Sequence, residues 1–277
     1  MNIHPIVTAQ WLAKNINLPN LVVLDASVKN NVSGLTAEFT NLQIKGARAF
    51  DIEKVFFDKK STLPNMIPSV AVFTKECKKM GIDKNSIVVV YDNLGIYTSP
   101  RAWWMFKAMG HATVAVLDGG LSAWKNAGFL CETPILRKVK TGNFEAHYNE
   151  NLVRDAAFIL KNINNNNMLI LDARSEKRFD GRLPEPRENM TSGHIPGSKN
   201  LPYTCVLDNG KIKPIAEIKK IFETLDLANK QLIFTCGSGI TACIILLASE
   251  LVAQNKKALY DGSWSEWGQL DKFPVEC

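Results

Sequence analysis

Cys236 stands between an apolar run with the look of a strand, Leu232-Ile233-Phe234-Thr235, and an apolar run with the look of a helix from Ala242 onward. Between them lie Gly237, Ser238, Gly239, Ile240 and Thr241. A tight loop closing onto a helix start turns backbone N–H groups inward, and such a nest, with the helix dipole, stabilises negative charge. That favours the thiolate, the nucleophilic form of cysteine. A lone cysteine at a strand end is more often packing, since cysteine is commonly buried. Here Gly237 and Gly239 would permit positive φ on both sides of Ser238, and the polar stretch Gly237 to Thr241 is a poor core filler. The expected chemistry is nucleophilic attack by Cys236.

The elements that must position this loop occur twice. Leu21-Val22-Val23-Leu24-Asp25-Ala26 matches Met168-Leu169-Ile170-Leu171-Asp172-Ala173, each an apolar strand ending in Asp-Ala. Ile44-Lys45-Gly46-Ala47 matches Ile195-Pro196-Gly197-Ser198, and Ile87-Val88-Val89-Val90-Tyr91-Asp92 matches Gln231-Leu232-Ile233-Phe234-Thr235-Cys236. Leu117-Asp118-Gly119-Gly120 then matches Tyr260-Asp261-Gly262-Ser263. Four collinear matches at a nearly constant offset predict a tandem duplication of one domain, with a period far longer than the roughly 20 to 50 residues of solenoid repeats.

Within each copy, short β-rich runs alternate with helix-like segments, which predicts an α/β fold with a mostly parallel sheet flanked by helices. Strands are expected near 21–24, 87–91 and 113–117, and again near 168–172, 231–235 and 257–260. Ser99 to Phe106 and Thr241 to Leu247 are apolar all round, as buried helices are. The domain boundaries read as 1–131, a linker over 132–151 that lacks periodicity, and 152–277. Ligands of open α/β sheets bind beyond the carboxyl ends of the strands, where Cys236 falls. Asp92 takes its place in the first copy, so that copy reads as catalytically silent. A charged residue in the sister position argues for an accessible loop top rather than a core site.

Composition narrows the class without choosing it. Of 277 residues, 46% are apolar and 22% charged, ordinary for a globular protein. The net charge of +6 is spread over isolated lysine pairs, without the basic and aromatic interleaving of a nucleic-acid platform. No apolar run approaches membrane-spanning length and no signal pattern opens the chain, so a cytoplasmic protein with no membrane and no nucleic-acid partner is expected. The cysteines at 77, 131, 205, 236, 243 and 277 show no close metal-ligand spacing, and neither metal nor cofactor is expected.

These residues resemble the two-domain rhodanese-like sulfurtransferases, and within them the 3-mercaptopyruvate sulfurtransferases, over nearly the whole chain. The resemblance rests on Asp92 in the silent copy, Gly193-His194-Ile195-Pro196-Gly197, the loop Cys236 to Ala242, and Tyr260-Asp261-Gly262-Ser263-Trp264-Ser265-Glu266-Trp267. It implies a tandem rhodanese-like fold and sulfur transfer through a Cys236 persulfide. Relatives that use thiosulfate are basic after the cysteine, whereas Gly237 and Ser238 are neutral, which points to 3-mercaptopyruvate. The resemblance further implies that Arg178 and Arg187 hold the substrate's carboxylate and keto groups, for which a planar guanidinium suits. Ser238 would donate a hydrogen bond or relay a proton, and the amides of Gly237, Gly239, Ile240 and Thr241 would line the nest. A small-molecule sulfur donor and a thiol acceptor such as thioredoxin, or cyanide, complete the expected partners.

Some relatives have been proposed to use an Asp–His–Ser relay. The stretch expected to carry its histidine reads Leu42-Gln43-Ile44-Lys45-Gly46, with Gln43 at that place, so Ser238 is expected to act through water, the substrate or Cys236 itself. His194 reads as a structural anchor. Thiosulfate as donor and a non-enzymatic persulfide carrier are the alternatives. A phosphatase would need Arg where Ala242 stands.

Overall fold

The computed structural model describes residues 3–29, 31, 33–269 and 272–277. The chain divides into two compact units: the first takes in the chain to Asp58, then Ile67–Asn149 and Asn209–Ile212, and the second takes in Lys59–Met66, Glu150–Asp208 and Lys213–Cys277.

Each unit is built on a five-stranded sheet. In the first, the strands run in the order Ile6–Val7, Val114–Leu117, Ile87–Tyr91, Leu21–Asp25, Arg48–Ala49, with parallel pairing throughout. In the second, the order is Lys199–Asn200, Met168–Asp172, Gln231–Thr235, Lys257–Tyr260, Val153–Arg154, again all parallel. The two sheets are the same sheet, and the matched sequence segments occupy matched strands. Asp92 and Cys236 each follow the central strand.

The central strands read as unbroken apolar runs because helices cover both faces. Every residue of Ile87–Tyr91 is buried, as is Leu232 to Thr235. The following helices, Ser99–Ala108 and Ala242–Glu250, are buried along nearly their whole length, so no polar face is required of them. Trp103, Trp104, Trp124, Trp264 and Trp267 are all core residues. The segment after Glu132 contributes Phe144, whose ring lies 5.8 Å from Phe73 and 6.1 Å from Phe106 in the first unit.

One electrostatic clamp in the first unit has a pH signature. Gln43 and Glu132 face each other across the antiparallel pair Gln43–Ile44 and Cys131–Glu132. The Glu132 carboxylate accepts from Gln43 Nε2 at 2.9 Å, from the Gly46 amide at 2.8 Å and from Arg137. Arg137 chiefly, then the Gly46 amide and Gln43, pull the carboxyl from 4.5 down to about 2. A depressed carboxyl stabilises the fold above its unfolded value and loses that contribution as pH falls toward its folded value. The stability gap between wild type and Glu132→Gln, followed by urea denaturation, is therefore expected to narrow as pH falls from about 5 to about 2. A constant gap would assign the clamp to its neutral hydrogen bonds.

Candidate active site

The second sheet sends its chain in opposite directions from two neighbouring strands. From Met168–Asp172 the path moves out to the edge strand Lys199–Asn200, and from Gln231–Thr235 it moves to Lys257–Tyr260 on the other side. Such a switch point opens a crevice at the carboxyl ends of the two strands. Cys236 ends one of them, and Asp172, followed by the arginine-bearing segment, ends the other.

The loop after Cys236 is shaped from behind by the segment Tyr260 to Ser265. The Trp264 amide donates to the Cys236 carbonyl at 2.9 Å and the Ser265 amide to the Gly237 carbonyl at 2.9 Å. Ser263 Oγ accepts from the Cys236 amide at 3.3 Å and donates to the Tyr260 carbonyl at 2.8 Å. Two loop carbonyls are thus committed to the start of the helix Ser263–Trp267. The first copy repeats the device, with the Leu121 amide donating to the Asp92 carbonyl at 3.0 Å.

The first copy also displays what the loop can hold. Asp92 Oδ2 accepts from the amides of Tyr97 at 2.9 Å, Thr98 at 3.0 Å and Ser99 at 2.8 Å, and from Ser99 Oγ at 2.6 Å. Its Oδ1 accepts from the Leu94 amide at 2.9 Å. The loop closes on an acidic group as an N–H nest does, here supplied by its own side chain. Burial pushes the Asp92 carboxyl upward, against the downward pull of Ser99 and the loop amides.

Asp92 and Cys236 are therefore buried at the base of their loops, contrary to what the charge of Asp92 suggests in the sequence. Cys236 is only 2% exposed and Asp92 is fully buried. A carboxylate is tolerated there because five donors replace its water, not because it reaches solvent. The glycines need a second correction. Gly239 has φ +77, as the turn requires, but Gly237 does not adopt positive φ. Gly237 leaves room for the arginines instead: a Cβ there would lie a tight 3.2 Å from Arg178 Nη2 and 3.8 Å from Arg187 Nη1.

Those distances bring Arg178 and Arg187 against the Cys236 loop. Arg178 belongs to the short helix Glu176–Phe179 and Arg187 to the loop after it. Arg178 Nε donates to Glu185 Oε1 at 3.1 Å, and its Nη2 pairs with Glu185 Oε2. Glu185 Oε1 also accepts from Arg174 Nη1 at 2.8 Å. Arg174, with no exposed side-chain surface, donates to Asp172 Oδ2 at 2.7 Å and to the Gly193 carbonyl at 2.8 Å, and its guanidinium lies 4.1 Å over the Trp264 ring. Arg174 thus bridges Asp172 and Glu185, and shares Glu185 with Arg178. Arg187 has no ion pair among the described residues, which leaves a positive charge beside Gly237.

The order Arg174–Glu185–Arg178 has no obvious mark in the sequence, where Glu185 is simply the residue between Pro184 and Pro186. A carboxylate held between two prolines, close to several arginines, is the available signal. His194 is an anchor: its Nδ1 is 2.8 Å from the Phe179 carbonyl and its ring stacks on Phe179 at 3.8 Å. It ties the end of the Arg178 helix to the stretch before Pro196.

Ser238, 8% exposed, lies two residues beyond Cys236, and its Oγ accepts from Asn65 Nδ2 at 3.0 Å. Both residues belong to the second unit. Gln43, at the place expected of a relay histidine, instead holds Glu132 in the first unit. The side-chain partner of Ser238 comes from a segment that no motif in the sequence singles out, and it is an amide, which holds the hydroxyl without relaying a proton. Gly237, Gly239, Ile240 and Thr241 complete the turn into the helix Ala242–Glu250. Among the described residues no group of three or more His, Cys, Asp and Glu side chains is arranged to hold a metal ion.

Comparison with known proteins is consistent along the whole chain. The family described as rhodanese-like domain matches residues 8–127 and again 155–270. A protein of Escherichia coli strain K12 named 3-mercaptopyruvate sulfurtransferase is 35% identical over 274 residues, covering 98% of this chain and 97% of its own. The mitochondrial thiosulfate/3-mercaptopyruvate sulfurtransferase 1 of Arabidopsis thaliana is 34% identical over 297 residues, covering 99% of this chain and 78% of its own. The crystal structure of the 3-mercaptopyruvate sulfotransferase SseA from Escherichia coli superposes with a TM-score of 0.82 at 34% identity, covering 95% of this chain and 100% of that one.

Proposed function

The chain belongs to the rhodanese-like family and is an enzyme of sulfur transfer, and from that premise we propose that it moves sulfur from 3-mercaptopyruvate through a Cys236 persulfide to a thiol or cyanide, releasing pyruvate. The observation that carries this reading is the unpaired charge of Arg187 next to Arg178, against Gly237. A loop whose own residues are neutral needs a cation nearby to hold a carboxylate, and a guanidinium fork does so bidentately.

The reaction divides into two steps. Cys236 thiolate attacks the substrate sulfur, the carbon–sulfur bond breaks, and its electron pair moves onto carbon to give the enolate of pyruvate. Cys236 keeps the sulfur as a persulfide, and a proton taken up at carbon completes pyruvate. Arg178, Arg187 and loop amides stabilise the oxygen on which the enolate charge resides. In the second step an acceptor thiolate, on a small thiol or thioredoxin, attacks the outer sulfur and frees Cys236. Cyanide would leave as thiocyanate.

The first copy, taken as residues 1–131, is silent in this scheme because Asp92 fills its own nest. Residues 132–151 then act as the connector and 152–277 as the catalytic copy. No helix of the described residues is long and apolar enough to cross a membrane. All six cysteines are free thiols, as suits a reducing compartment, and on that ground we assign the activity to the cytoplasm.

Pyruvate release from 3-mercaptopyruvate, run beside thiocyanate formation from thiosulfate and cyanide, tests the assignment, with Cys236→Ser as control. Mercaptopyruvate turnover is expected to dominate and to vanish in the variant. Dominance of thiosulfate would transfer the assignment to that donor, and turnover of neither would leave a persulfide carrier.

A further inference from the structure

We infer that Asn65 is a positioning residue of the sulfur-transfer site, an amide that fixes the Ser238 hydroxyl as a hydrogen-bond donor and does so without titrating. The inference rests on the proposed reaction for its substrate and on the Asn65–Ser238 contact for its geometry.

A serine hydroxyl has one hydrogen to give and two lone pairs to receive with. Asn65 Nδ2 donates into Ser238 Oγ at 3.0 Å, so one lone pair is occupied and the serine hydrogen is directed elsewhere. Ser238 is nearly buried, and bulk water cannot easily claim that hydrogen. It is left for what sits at Cys236: the oxygen of the departing enolate, or the outer sulfur of the persulfide. A side-chain amide neither gains nor loses a proton near neutral pH. Asn65 therefore holds Ser238 in one role, whereas an imidazole in its place would alternate between acceptor and donor as pH changed.

The backbone at Asn65 supports a dedicated position. Its φ of 59° is left-handed, a region where non-glycine residues are uncommon and Asn, Asp and His are enriched. The segment Lys59–Met66 that carries it comes from the first half of the chain yet belongs to the second unit, which also holds Ser238. Asp and His are accordingly the informative replacements, because both fit the backbone that Asn65 adopts.

The expected results separate orientation from mere packing. In Asn65→Asp the carboxylate can only accept, so Ser238 turns its hydrogen toward residue 65 and the donor is lost. Loading of Cys236 with persulfide, followed by intact mass, and pyruvate release should then fall by about tenfold or more, a loss of the size one charge-dependent hydrogen bond supplies. Ser238→Ala should fall as far, and the double variant no further, since residues acting through one contact are not additive. In Asn65→His the rate relative to wild type should acquire a new pH dependence centred near the ordinary imidazole value of about 6.5.

Full activity in Asn65→Asp, or additive losses in the double variant, would overturn the inference, as would a ratio for Asn65→His that stays flat with pH. Should the wild type release no pyruvate, the proposed substrate fails on its own. The same variants are then read on persulfide loading from thiosulfate or an inorganic polysulfide, where non-additive losses at residues 65 and 238 are again expected and additive ones again overturn the inference.

Discussion

Arg187→Ala is expected to lower kcat/KM for pyruvate release by roughly 10²-fold, because a charge-assisted bidentate contact contributes about 1.5–3 kcal/mol and each 1.4 kcal/mol is a factor of ten. Arg187 is the clean member of the pair. It has no ion pair among the described residues, so truncating it strands no buried carboxylate, and the thermal midpoint should hardly change. Arg178→Ala should add a cost in stability, since Glu185 then loses its bidentate partner. Removing both arginines distinguishes an enzyme from a carrier. Pyruvate release should collapse, while Cys236 should still take up sulfur from an inorganic polysulfide that needs no carboxylate clamp. Unchanged pyruvate release in the double variant would remove the arginines from the mechanism.

Much of this arrangement is written in local pattern. The Asp-Ala strand ends, the paired loops at Asp92 and Cys236 and the Tyr260-Asp261-Gly262 run each recur at nearly one offset, and matched segments form matched strands in two sheets of one topology. Short apolar runs read well because a central parallel strand must be apolar on both faces. What is not legible is what depends on distant parts of the chain meeting. Asn65 lies far from Ser238 in sequence, and nothing about Leu63-Pro64-Asn65-Met66 announces a partner. Gly237 looks like a turn glycine until the guanidinium beside it is seen, since a missing side chain gives no hint whether it spares strain or space. Asp92 misleads for a related reason: charge in a sequence suggests water, and only the closed loop reveals the donors that replace it.

Glu185 is where stability and chemistry meet, and Glu185→Ala should damage both. Its side chain is 2% exposed and bridges Arg174 to Arg178. Removing one partner of a buried ion pair leaves uncompensated charge and typically costs about 3–5 kcal/mol. Arg174 would keep Asp172, the Gly193 carbonyl and the Trp264 face, so the loss should lie toward the lower end of that range. In a domain of this size that corresponds to a midpoint lowered by roughly 6–12 °C. Arg178, released from its bidentate hold on Glu185, should no longer stand against Gly237, and KM for 3-mercaptopyruvate should rise. Glu185→Gln separates the two effects. An amide of the same shape can accept from one arginine but cannot neutralise two, so it should recover part of the stability and little of the substrate affinity. Calorimetry beside steady-state kinetics reads both. If Glu185→Gln restored KM fully, shape rather than charge would be what Glu185 contributes to the site.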